Sequence, residues 1–348
     1  MSTLFAHGNE SQTVMGTTKN VQYAFDYRQL LLPVYLLYTI PSFIAYRRSR
    51  EFLTQRRMLN SSFCAIFTND FTINVALFII DFLFTRLPIS GLFVNFPNYV
   101  PDRIPSMLIY FLSYYLIYAN FYSITLICLN RMTSVVFPYS CNAFWSRYHT
   151  VAIAFVYLLP VLTTWQMLTY EPYFLPLYDN QSSYQMVYRT TVLIGFLPRN
   201  STNLCFISIV LSIVCVIANM ILIVKYKVSM KSVHAATSGT SQNTFQKKRA
   251  RRVEIAMFAI ALVVCCSLVF QAVLQALIMI YAGSSGSIRA TCQDLRAFAL
   301  DIAICCPPWI LYYTTVHSSR TGAPCSASSA AQSGAANVPP TTKTHQMS

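Results

Sequence analysis

Seven stretches of 18 residues or more, nearly free of charge, recur along this 348-residue chain, and no other feature constrains its fold as strongly. An apolar run of that length crosses the hydrocarbon core of a bilayer as an α-helix. Lipid offers no partner for backbone groups, so only helices and closed barrels can span. The runs cover approximately residues 29–46, 62–84, 104–129, 151–169, 203–224, 253–281 and 295–316. Charged residues make up 10% of the chain, against roughly 25% in soluble domains. The sequence therefore predicts an all-α membrane protein, a seven-transmembrane helix bundle over residues 29–316. A polar segment, 1–28, precedes it, which makes the first span its own insertion signal. A flexible tail rich in Ser, Thr, Ala, Gly and Pro, 317–348, follows. No internal repeat suggests a transporter built from duplicated halves.

Charge sets the expected orientation, because cytoplasmic loops collect Lys and Arg. The N-terminal segment and the second, fourth and sixth loops hold seven, among them Arg28 and Arg86. The other three loops and the tail hold seventeen, and Arg296, inside the seventh run, completes the 25. The N-terminus is thus expected outside and the C-terminus in the cytoplasm. Sequons at Asn9, Asn180 and Asn200 fall on the same external side, and Asn9 and Asn180 are the glycosylation candidates. The sequon at Asn60 lies at the inner edge of the second span and should stay bare.

Polar side chains within a bilayer turn toward the bundle interior, and helical spacing shows where they align. Asp70, Asn74 and Asp81 share one face of the second span; Ser106, Ser113, Asn120 and Arg131 share one face of the third. Gln271 and Gln275 follow Ser267 on the sixth, while Asp294, Asp301, Cys305 and Pro308 line the seventh. Such seams are also ordinary interhelical packing. Embedded carboxylates are costlier and read as functional. Asp81, Gln271, Gln275 and Asp301 lie at similar depth and are expected to edge a small-molecule pocket in the outer half of the bundle. An ionised acid there would favour a cationic ligand. Asp70 lies deeper and suits a conformational or ion-binding role, and Pro307 and Pro308 make a candidate hinge. The stripe Phe111, Tyr115, Tyr118 and Tyr122 lies half a turn away from the polar seam, so both can be buried only if the third span is central.

Arg131 closes that span, where its stem can stay among apolar groups while its head reaches the interface or a partner. Glu254, at the start of the sixth span, is the acid expected to pair with it at rest. The fifth loop, with Lys247, Lys248, Arg249, Arg251 and Arg252, suits anionic membrane lipids or a cytosolic partner.

No P-loop, nucleophile elbow or H-E-x-x-H is present, and all five histidines fall outside the runs, so neither an enzyme nor a cofactor is expected. Net charge of +14 is concentrated on one membrane side and argues for topology, not for nucleic acid. Most of the eleven cysteines lie inside the runs and act as small hydrophobes. Cys292 falls in an external loop, and Cys325 in the tail is a palmitoylation candidate.

Seven spans, an external N-terminus and an arginine ending the third resemble a G-protein-coupled receptor. Leu129–Met132, "LNRM", keeps only the arginine of the Asp/Glu-Arg-Tyr motif. A nearer resemblance is to the nematode serpentine chemoreceptors, class gamma (Srg). It is carried by "YTIPSFIAY" (38–46), "LNSSFCAIFTNDF" (59–71), "LNRMTSVVFP" (129–138) with "FWSRY" (144–148), and "LLP" (158–160), within residues 23–316. The chain departs from the broader receptor pattern in lacking both Asn-Pro-x-x-Tyr and a cysteine pair tying the third span to the fourth loop. The resemblance implies a plasma-membrane receptor of sensory neurons. Its partners would be a small environmental or pheromone molecule and a heterotrimeric G protein. A seven-helix ligand-gated channel or carrier is the alternative.

Overall fold

The computed structural model describes residues 27–55, 61–92, 103–169, 171–176, 183–189, 200–235, 243–281 and 286–317. Among the described residues, seven helices are long and apolar enough to cross a membrane. They are α1 (Tyr27–Gln55), α2 (Ser61–Asp81), α3 (Arg103–Val136), α4 (Cys141–Thr164), α5 (Asn200–Ala235), α6 (Asn243–Ile280) and α7 (Gly286–Leu311). α2 runs on through a π-helical turn, Phe82–Arg86, into a last turn at Leu87–Ile89. α4 tightens into a 3-10 turn, Trp165–Thr169, and α7 loosens into a second π turn, Tyr312–His317.

Each of the seven coincides with an apolar run, yet several helices extend beyond theirs. α3 continues to Val136 and α4 begins at Cys141, ten residues before the apolar run at 151. Apolarity marks the membrane, whereas backbone hydrogen bonds mark the helix and continue into polar sequence. Three expectations change with those boundaries. His149 belongs to α4, with its Nδ1 2.9 Å from the carbonyl oxygen of Trp145. Cys292 is buried within α7 rather than held in a loop. Arg28 and Arg86, counted with the N-terminal segment and the second loop, lie buried in α1 and in the π turn of α2.

The bundle is helical as expected, with one small β element beside it. Between α4 and α5, β1 (Glu171–Pro176) and β2 (Tyr184–Arg189) pair as an antiparallel hairpin, Glu171 opposite Arg189 and Pro176 opposite Tyr184. Prolines 172 and 176 argue against a central strand, but a two-stranded ribbon has only edges, where a missing donor is tolerated. The ring of Tyr188 lies 5.6 Å from that of Tyr110, which seats the hairpin over the N-terminal end of α3.

α3 is the axis of the bundle. It touches α2, α4, α5 and α6, and 67% of its membrane window is buried against 28% for α4. The aromatic stripe therefore packs between helices: the Tyr118 hydroxyl donates to Asn200 Oδ1 at 3.3 Å, and that of Tyr115 to the Tyr157 carbonyl at 3.2 Å. Asn200 is itself buried, so its sequon sits in the helix packing. At the end away from the hairpin, Tyr46 stacks between Phe67 and Phe71, with centroids at 4.5 and 4.3 Å. Each such pair contributes roughly 0.5–1.5 kcal/mol beyond burial. Trp145 Nε1 donates to Thr133 Oγ1 at 2.8 Å and clamps the α3–α4 turn.

Candidate functional site: an arginine-bridged carboxylate pair beneath a cavity

Asp81 and Arg86 are five residues apart. On an α-helix that step turns them about 140° away from each other. The π turn removes the mismatch, because its hydrogen bonds run from i to i+5 and stack the fifth residue over the first. Arg86 Nε accordingly donates to Asp81 Oδ2 at 2.6 Å. Its two terminal nitrogens grip Asp301 on α7 as a fork, Nη1 to Oδ2 at 2.7 Å and Nη2 to Oδ1 at 2.8 Å. Tyr38 on α1 adds its hydroxyl to Asp301 Oδ2.

Aromatic faces complete the enclosure. The guanidinium carbon lies 4.4 Å from the Tyr35 centroid and 5.4 Å from that of Phe78. With Arg86 only 5% exposed, removing either kind of charge would strand the other in a low-dielectric interior. Three helices, α1, α2 and α7, are thereby fastened at one point.

A cavity of about 140 Å³ opens beside this cluster, toward the hairpin. Asp81 and Arg86 lie on its wall, Gln185 and Met186 of β2 reach it from the hairpin, and Leu77, Ile117 and Leu300 supply apolar surface. Arg28 and Asp294 also line it as an ion pair at 3.0 Å, and the Tyr27 hydroxyl donates to the same Asp294 oxygen at 2.9 Å. Arg296 is a third cation on the wall. Its Nη1 donates to Gln275 Oε1 at a long 3.4 Å, and among the described residues no carboxylate pairs with it.

The four residues expected around one pocket therefore occupy different places. Asp81 lines the cavity; Asp301 lies behind Arg86. Gln275 holds Arg296 and donates to the Ser201 carbonyl at 3.5 Å, and Gln271 donates to Ser267 Oγ at 3.4 Å. Sequence reasoning missed Arg86, Tyr38 and Arg296 as members of this constellation. The signal for Arg86 was a basic residue five positions beyond an embedded acid.

Deeper in the bundle, Asp70 accepts from Asn74 Nδ2 at 2.9 Å and Ser123 Oγ at 2.7 Å, and Asn120 Nδ2 donates to Asn74 Oδ1 at 2.7 Å. This second polar knot joins α2 to α3. Arg131 stands apart from it, with its guanidinium carbon 3.5 Å from the centroid of Phe63 at the start of α2. Pro308 is accommodated within α7 without ending it, and the adjacent Trp309 Nε1 donates to Ser42 Oγ on α1 at 2.9 Å. The side chains of Glu254, Lys247, Lys248, Arg249, Arg251 and Arg252 lie outside the described residues, as do Asn9, Asn60, Asn180 and Cys325. Among the described residues no three His, Cys, Asp or Glu converge as a metal site.

Seven membrane-crossing helices around two buried polar knots, with a partly charged cavity under a hairpin, define a multi-pass integral membrane protein of the serpentine receptor type. The model of the Srg family chemoreceptors matches residues 32–317, and the chain belongs to that family. No curated protein matches it. Tyr46, Phe67, Thr133 and Trp145, from the motifs that carry the family resemblance, are among the residues that pack the end opposite the hairpin.

Proposed function

We propose that this chain is a chemosensory receptor of the plasma membrane of sensory neurons, which binds a small molecule beneath the hairpin and signals to a heterotrimeric G protein. The observation that carries the reading is the cavity bounded by Asp81, Arg86 and Arg296 in a bundle of the chemoreceptor family. At about 140 Å³ it falls below the ~300–1,000 Å³ of sites for drug-sized ligands, so it suits a small one.

The wall also indicates the ligand's chemistry. Asp81 and Asp301 are already engaged by Arg86, and Asp294 by Arg28. A cationic ligand therefore gains less here than the bare acids suggested. Arg296, which no carboxylate pairs with among the described residues, favours a ligand with an acceptor group, best a carboxylate, and an apolar body against Leu77 and Ile117.

The seven-to-seventeen charge split supports an external N-terminal segment, 1–28, and a cytoplasmic tail, 317–348. The burial of Arg28 and Arg86 takes two cations out of the external loops and sharpens that asymmetry. The ion cluster ties α1, α2 and α7 immediately beside the ligand, so a ligand that loosens Arg86 changes how these helices seat. At the opposite end, Arg131 with Glu254 forms the resting contact, Asp70 and Pro308 let the helices shift, and the basic start of α6 meets the G protein or lipid. Asn9 and Asn180 are the external acceptors for glycan.

Expression in a heterologous cell with a G-protein readout tests the reading, using short-chain carboxylic acids beside their methyl esters and matching amines. A response to acids that disappears when the G protein is removed is expected. A ligand-evoked current that survives that removal would establish a channel instead.

A further inference from the structure

On the outside of the bundle, away from the cavity, α1 and α2 enclose a groove of about 750 Å³. Its walls are Ile40, Phe43 and Ile44 on α1 and Phe71 and Val75 on α2. α1 turns its other face to α7, through Trp309 to Ser42 and Tyr35 against Phe298, which leaves this side toward lipid. Ile40 and Ile44 are 55% and 51% exposed, so the groove has an open apolar flank.

Both its length and its charge are asymmetric. From Ile40 to Arg50 α1 rises about 15 Å, half of the ~30 Å hydrocarbon core and so the depth of one leaflet. One end is wholly apolar; the other is Arg47 and Arg50, with Glu51. Arg47 and Glu51 pair at 3.1 Å but are 81% and 54% exposed, so the pair contributes little and is easily exchanged. A site one leaflet deep, apolar below and cationic at the interface, complements a molecule with an acyl chain and an anionic head.

We propose that this groove binds an anionic glycerophospholipid, one acyl chain lying against Ile44, Phe71 and Val75 and its phosphate meeting Arg47 and Arg50. Anionic lipids are concentrated in the cytoplasmic leaflet, where juxtamembrane arginines recognise them. The site is separate from the basic start of α6. Its placement in the cytoplasmic leaflet rests on the orientation proposed above, whereas lipid preference of the purified protein is read without ligand or G protein, so its failure is distinct from failure of the receptor reading.

Native mass spectrometry of the purified full-length protein, titrated with dioleoylphosphatidylserine or dioleoylphosphatidylcholine, provides the test. Wild type is expected to retain the serine lipid at least tenfold more tightly. Arg47→Gln with Arg50→Gln, both exposed and so compatible with folding, is expected to abolish that preference. Ile44→Trp, which fills the groove, should lower retention of both lipids, while Arg147→Gln, at an exposed arginine of α4 that does not line the groove, should leave the preference intact. Equal retention of the two lipids by wild type would overturn the site, and so would a preference that survives the paired arginine changes or is lost with Arg147→Gln. If Ile44→Trp does not fold, the Arg47 and Arg50 pair and Arg147 alone decide.

Discussion

Arg86 on α2 and Asp301 on α7 stand 215 positions apart in the chain and share two hydrogen bonds of 2.7 and 2.8 Å. Tyr38 from α1 shares the same carboxyl. One guanidinium thus fixes the relative seating of the first, second and seventh helices, beside the cavity where a ligand would arrive.

Arg86→Gln leaves the buried Asp301 and the partly buried Asp81 without their cation. Breaking a buried pair in this way costs about 3–5 kcal/mol, so thermal unfolding of the purified protein should begin well below the wild-type temperature. Arg86→Met combined with Asp81→Asn and Asp301→Asn removes the stranded charges together and should recover most of the loss. A single variant that melts like wild type would show that the cluster does not hold the bundle.

Asp81 and Asp301, alike in sequence, should behave differently. Asp301 accepts the fork and the tyrosine, so Asp301→Asn is expected to lower surface delivery. Asp81 faces the cavity and accepts one bond from Arg86, so Asp81→Asn should reach the surface and shift agonist potency instead. Surface labelling beside dose–response curves separates the two, and identical profiles would contradict the assignment.

Arg296→Gln should weaken an acidic agonist tenfold or more, about 1.4 kcal/mol, while changing the potency of its methyl ester little. Arg296→Lys keeps the charge but loses the planar fork and should fall between. Equal losses for acid and ester would place the acidic group elsewhere.

Most of the fold was legible because lipid leaves few choices: an apolar run of bilayer length has to be a helix. Helix ends were less so, since α4 begins in "CNAFWSRYHT", whose polar residues say nothing about membrane and do not oppose a helix. The site was half visible. Embedded acids identified Asp81 and Asp301, but α-helical periodicity pointed Arg86 away from Asp81, and its charge suggested a loop. Only the π turn reconciles them, and single-residue changes of helical pitch leave no periodic signature. Glutamine carries no signal for direction, so Gln271 and Gln275 could not be told from packing residues.

At the opposite end, the ring of Phe63 holds Arg131 in a cation–π contact worth roughly 0.5–2 kcal/mol. Phe63→Leu should therefore raise ligand-independent signalling several-fold, as should Glu254→Gln if that acid holds the same arginine at rest. Arg131→Ala should abolish coupling without blocking delivery. Basal signalling unchanged in both partner variants would free Arg131 from any restraining role.

Orientation has a direct measurement. A tag before residue 1 should be labelled on intact cells and a tag after residue 348 only once they are permeabilised. The reverse pattern would remove the G-protein reading altogether.

The π turn of α2 also carries a consequence for descent. An i+5 helical turn is what remains when one residue is inserted into an α-helix and the ladder absorbs it without breaking. Relatives that diverged before that insertion should be one residue shorter between the positions of Asp81 and Arg86. A straight α-helix would then align an acid and a base four apart just as well. The spacing of these two residues, five or four, is therefore a length marker that could sort members of the family into lineages. A step of three or four without the π turn keeps the bridge, and a step of five without it loses the bridge.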